Sequence, residues 1–295
     1  MIYPILFFFG LAIGSFLNVV ALRYRPTFKL LNFKTLKLYL GGRSQCPVCH
    51  KTLVWYELIP IFSFLIQKRK CRHCGHLISI QYPLVEILSG LIFVFVPYAL
   101  SSILNPQSSI LITVWILIFL LFLLLSIIDF RQYIIPDSIN LSLAILGIVL
   151  IFVNFFNPQS SILNPQSSFL GHYAMLFDFP FLNPQSLILN SHLFAALIAM
   201  LFFGTIILLT KGKAMGWGDF KLVGPLGLIF GWPDILMVLF LAFIIGAFFS
   251  VVLLIRKKRK MKSAVPFGPF LVAGASLTFF FGYQIINGYF KLFGL

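Results

Sequence analysis

Between Ile110 and Ile128 the chain reads ILITVWILIFLLFLLLSII, nineteen residues without a charge. About 20 apolar residues cross the hydrocarbon core of a bilayer as one helix, because a helix satisfies its own N–H and C=O groups where no water can. Similar runs recur at about 3–22, 83–103, 137–156, 191–210, 233–255 and 268–289, with a shorter, glycine-rich one at 220–230. The sequence therefore predicts an all-α polytopic membrane protein of about eight transmembrane helices. The 220–230 run is expected to be a half-helix, tolerated only where protein or water covers its backbone. Composition agrees, with 60% hydrophobic residues, 10% charged and a mean hydropathy of +1.02, against a little under half apolar in soluble domains. The first run has no basic residue ahead of it and is followed by one, so it reads as a spanning helix and not as a cleaved signal.

The net charge of +15 is explained by topology. With the amino terminus outside, the inner segments are 23–82, 129–136, 211–219 and 256–267. They hold Arg23, Arg25, Lys29, Arg131, Lys211, Lys213 and the run RKKRKMK, while the outer stretch 157–190 has neither Lys nor Arg. Cytoplasmic loops collect such residues, and no basic face recurs on a folded module, so no nucleic-acid partner is expected. The expected division is a first helix at 1–22, a cytoplasmic segment at 23–82 and a membrane core at 83–295.

The outer loops 101–111 and 157–190 carry the heptapeptide NPQSSIL and fragments of it. Proline in each unit excludes a continuous coiled coil. The unit can be encoded by the heptanucleotide AATCCTC repeated in tandem, so we read the tracts as DNA repeats carried into loops that tolerate insertion.

The four cysteines fall in CPVCH (46–50) and CRHCGH (71–76). Two Cys-x2-Cys knuckles supply the four thiolates of a tetrahedral Zn2+ site, and a closed four-sulfur shell is structural because no position stays open for water. Cys46, Cys49, Cys71 and Cys74 are the candidate ligands. His50, His73 and His76 are left as a basic surface, and a disulfide reading is disfavoured on the reducing cytoplasmic side.

Acids are scarce, seven in all. Asp129 ends the third apolar run and Asp219 precedes the sixth, in GWGDFK. An ionisable group at the membrane boundary is a functional candidate, because its burial near hydrocarbon is costly. Either aspartate could instead pair with Arg131 or Lys221. Two at one depth suggest paired carboxylates sharing a proton, one to activate water and the other to polarise a carbonyl. Gly216 and Gly218 are expected to let the backbone bring Asp219 close to a peptide. Asp137, after Pro136, reads as a helix cap. Glu57, Glu86, Asp178 and Asp234 are not read as catalytic.

The motifs GSFLNVVALRYRP (14–26), CPVC, CRHC, DFRQYIIPD (129–137), GWGD (216–219) and PFGPF (266–270) together resemble the type IV prepilin leader peptidase/N-methyltransferase family, over nearly the whole chain. The resemblance implies that Asp129 and Asp219 are the catalytic pair of a Gly-x-Gly-Asp aspartic peptidase and that the four cysteines bind zinc. It further implies a multi-pass protein of the bacterial inner membrane. Its members remove a basic leader from prepilins or pseudopilins at the cytoplasmic face, then methylate the new amino terminus with S-adenosylmethionine. The family's usual Arg-Leu-Pro appears here as RYRP, and no glycine-rich cofactor loop marks the methyltransferase residues. Two other readings compete. A presenilin-like protease would cut inside a span and lack the knuckles; a transporter with a zinc-bound loop would carry polar groups at mid-membrane.

Overall fold

The computed structural model describes residues 2–24, 42–101, 109–156, 188–213, 215–256 and 265–292. Arg25, Lys29, Asp178, most of RKKRKMK and most of the repeat tracts lie outside them. The described helices are α1 (Ile2–Arg23), α2 (Phe62–Ile66), α3 (Gln81–Ser101), α4 (Ser109–Gln132), α5 (Asp137–Phe156), α6 (Ile188–Thr210), α7 (Trp217–Phe230), α8 (Asp234–Ile255) and α9 (Gly268–Leu292). All but α2 and α7 are long and apolar enough to cross a membrane. The chain is thus an all-helical, multi-pass membrane protein. The sixth apolar run is α7, which starts at Trp217 and has 14 residues. At 1.5 Å per residue it extends about 21 Å, short of a hydrocarbon core. The repeats also run into helices: Ser109 opens α4, where the Thr113 hydroxyl donates to its carbonyl oxygen at 2.9 Å, and Leu111 is fully buried.

The chain divides into two compact units, one of Met1–Ser102 with Trp115–Ile128, the other of Ile103–Val114 with Asp129–Leu295. In the first, α1 packs on α3 through small residues. A Cβ on Gly10 would stand 2.8 Å from the Gly90 Cα, and one on Gly14 2.8 Å from the Glu86 Cα. Glycines four apart let backbones approach, and in lipid such packing replaces the hydrophobic drive. The Asn18 side chain donates to the Tyr82 carbonyl at 3.2 Å.

In the second unit α7 is the buried centre. Leu222, Val223 and Leu226 on it are fully enclosed, between α6 and α5. The approach to α6 is very close: a Cβ on Gly227 would run into the Ala196 backbone. A short helix can sit at this depth because neighbouring helices, and not lipid, surround its ends. Helices α8 and α9 pack in the same way, with Gly274 against the Val238 carbonyl.

Candidate active site and metal centre

Asp129 sits in the last turn of α4 and Asp219 in the first turn of α7. They are 4% and 9% exposed and line one cavity of about 490 Å³, together with Tyr133, Trp217, Lys221 and Phe267. The charge of Asp129 is felt at Asp219. Among the described residues neither carboxylate forms an ion pair. Lys221 bonds Asp137 instead, at 2.8 Å, and both side chains are exposed at the cleft. Asp137 is the first residue of α5, and the Pro136 carbonyl before it accepts from the Ile139 and Asn140 amides, so Asp137 sits one place inside the cap position.

The local sequence sets these positions. Gly216, extended at φ −82° and ψ 151°, precedes α7 without a side-chain cap, so the helix starts at Trp217 and Asp219 falls in its first turn. An acid there suits the positive end of the helix dipole. Gly216 and Gly218 both line this cavity. A Cβ on Gly218 would stand a tight 3.2 Å from the Ile135 Cβ, so a larger residue there would have to displace it slightly. Gly216 has an ordinary φ, and its nearest neighbour would be the Asp219 Oδ2 at 3.6 Å.

One contact was not foreseen. The Gly268 amide, at the start of α9, donates to the Asp129 Oδ2 at 3.1 Å. The PFGPF motif was visible in the sequence without a role; it supplies a helix amino terminus that holds the Asp129 carboxylate. Nothing in local pattern indicates a pairing across 139 residues.

The cysteines form a second centre. The ligand atoms of Cys46, Cys49, Cys71 and Cys74 lie within 4.8 Å of one another, and the Sγ atoms of Cys46 and Cys74 are 3.8 Å apart. All four are free thiols. Four sulfurs at about 2.3 Å from a tetrahedral ion stand about 3.8 Å apart, so the cluster fits a metal. The knuckles are near-copies. In one, the Cys46 amide bonds the Lys51 carbonyl and the His50 amide returns to Cys46; in the other, Cys71 bonds His76 and Gly75 returns to Cys71. The turn needs a left-handed residue at its fifth position, which is Gly75 (φ +69°) in one and His50 (φ +55°) in the other. An amide bond from Cys49 outweighs burial and lowers the Cys46 thiol to about 7, readying it to lose its proton to a metal. Among the described residues no histidine joins the group. Glu57 and Glu86 have structural partners: Arg72 lies 3.9 Å from Glu57, and the Ile61 amide donates to Glu86 at 2.8 Å.

The fold and its centres define a polytopic membrane protein with two buried carboxylates at one cleft and four cysteines positioned to bind a metal ion. The Bacterial Peptidase A24 N-terminal domain matches residues 8–100, and the Type IV leader peptidase family matches residues 115–251. A prepilin leader peptidase/N-methyltransferase of Xanthomonas campestris pv. campestris is 30% identical, over 97% of this chain and 93% of its own length. The protein of that name from Bacillus subtilis is 29% identical over 98% of each, and one from Aeromonas salmonicida 29% identical over 97% of this chain and 93% of its own. No solved structure matches the chain. The chain belongs to the type IV leader peptidase family, whose members are the prepilin leader peptidase/N-methyltransferases, and is an enzyme. The transporter and presenilin-like readings fall away with these matches.

Proposed function

We propose that the protein is an aspartic endopeptidase that removes the basic leader from type IV prepilins or pseudopilins at the cytoplasmic face of the bacterial inner membrane. In this reading Asp129 and Asp219 do the chemistry. The observation that carries it is their convergence on one cleft, buried and, among the described residues, without a cationic partner. Two carboxylates in such a site hold one proton between them. The ionised one takes a proton from water as its oxygen attacks the scissile carbonyl; the protonated one donates to the carbonyl oxygen. Collapse of the tetrahedral species breaks the C–N bond: the carboxyl that gained the proton gives one to the leaving amine, and the other carboxylate takes one back from a hydroxyl of the intermediate, which restores the shared proton. The Gly268 amide fixes one oxygen of Asp129 and leaves the other for water. The basic residues of the predicted inner segments support the cytoplasmic placement.

The product is a new amino terminus, and the names of the relatives support its N-methylation, with S-adenosylmethionine supplying the methyl group. The peptidase chemistry is assigned within 83–295 and the metal within 23–82. Zn2+ on Cys46, Cys49, Cys71 and Cys74 would fasten the two knuckles together. The test is to incubate membranes containing the protein with a prepilin precursor and weigh the products. Loss of the leader mass supports the peptidase, and a further methyl mass supports the transferase. An uncut precursor, with correctly inserted protein, overturns the reading.

A further inference from the structure

The segment that joins α1 to α3 exposes a face unlike that of a soluble lobe. Trp55 is 77% exposed, Phe62 52%, Leu65 64% and Ile66 68%, with Leu58 and Ile59 also exposed between them. Contiguous apolar surface of this kind marks a partner or a membrane. The basic residues Lys68, Arg69 and Lys70 follow directly.

Geometry ties this face to the start of α3. The Ile61 amide donates to Glu86 Oε2 at 2.8 Å, and Glu86 is buried. Glu86 lies five residues into the span that starts at Gln81, about 7.5 Å along the helix axis. With the water edge of the headgroup layer at Gln81, that distance would match one headgroup layer, about 5–8 Å, and would set the Ile61 backbone where headgroups meet hydrocarbon. Ile61 takes φ +62° and ψ −51°, the centre of a tight turn closed by the Phe62 amide on the Pro60 carbonyl, a strained conformation that a β-branched residue adopts only when its surroundings impose it.

Charge identifies what meets this face. Lys68 and Arg69, both left-handed at φ +48° and +66°, turn the chain back after α2. The acid within the segment, Glu57, is buried and lies against Arg72, which also stacks over Tyr56 at 5.0 Å. It does not cancel the cations at 68–70. Arg69 makes one long bond, from Nε to the Ile78 carbonyl at 3.4 Å, and the rest of its guanidinium remains for an anion.

We propose that residues 54–72 form a membrane-surface element. It lays Trp55, Phe62, Leu65 and Ile66 into the bilayer boundary and sets Lys68, Arg69 and Lys70 against anionic lipid phosphates. An apolar face beside a basic cluster is the pattern of interfacial binding, and aromatic residues favour that depth. The element carries Cys71 at its end, so one knuckle is held at the bilayer surface. The proposal does not depend on the peptidase reading.

The test uses the full chain in nanodiscs of phosphatidylcholine, with or without about one-third phosphatidylglycerol. Trp55 quenching by lipids brominated high on the acyl chain is read as the difference between the wild type and Trp55→Phe. Quenching of the Trp55 component is expected in both discs, stronger by about twofold with anionic lipid. Lys68→Glu/Arg69→Glu/Lys70→Glu should remove that gain, and Lys68→Arg/Lys70→Arg should keep it. Hydrogen exchange of amides 58–68 should slow in parallel. An unquenched Trp55 in wild type overturns the proposal without reference to any variant. So does a quench indifferent to lipid charge, or protection that arises only when a prepilin or a second copy of the chain is added.

Discussion

The two polar centres of this molecule are built by opposite means. The cysteine cluster comes from two short turns, each made by five or six consecutive residues, and its knuckles repeat one hydrogen-bond pattern. The acid cleft draws Asp129, Asp219 and the Gly268 amide from three helices. The first centre is a local design that a metal completes. The second exists only when α4, α7 and α9 are packed. Damage to one should therefore differ in kind from damage to the other.

The largest effect should follow loss of either cleft acid. Asp129→Asn and Asp219→Asn should each lower the rate of leader cleavage by about 10³-fold or more, with the double variant little worse, because the pair acts as a unit. Mass analysis of a prepilin precursor measures this. Methylation of a pre-cleaved substrate should survive if the two activities use separate sites. Brisk cleavage by either single variant would show that the chemistry lies elsewhere.

Replacing Cys46 and Cys49 together, or Cys71 and Cys74 together, with serine should remove about one metal ion per chain and destabilise the segment between α1 and α3 by several kcal/mol, on the order expected of a structural zinc. Elemental analysis and hydrogen exchange report it. Leader cleavage should fall by less than about tenfold, since the acids stand on other elements. Metal-free wild-type protein with an intact segment would break the comparison.

Gly227→Ala tests whether the cleft depends on helix packing. The new Cβ would press on the Ala196 backbone, which no side-chain movement relieves. A cost of about 1–3 kcal/mol is expected. It should appear in thermal unfolding and in cleavage, with metal content unchanged.

The smallest effect should be that of Asp137→Asn. Its exposed bond to Lys221 is worth about 0–1 kcal/mol. Cleavage should stay within about threefold of wild type, which separates this acid from its buried neighbours. A loss as deep as that of Asp129→Asn would place Asp137 in the chemistry.

Much of the architecture was legible in the residues. Apolar runs of bilayer length fix helices, because backbone polar groups have no other partner in lipid. Cys-x2-Cys spacing fixes a metal cluster, because a knuckle is closed by hydrogen bonds between near neighbours. The scarcity of acids also made Asp129 and Asp219 conspicuous. Packing decided the rest. Asp219 could have paired with Lys221; the fold gave Lys221 to Asp137 and left Asp219 buried. Gly218 lines the cleft and also packs against Ile135, a neighbour that its own segment does not name. The hold of Gly268 on Asp129, and of Glu86 on the Ile61 amide, join residues far apart in the chain. Hydrophobic period and spacing report what one segment does with water and lipid. Which carboxylate meets which amide is settled only when helices close to within a glycine's width, a distance that no segment encodes alone.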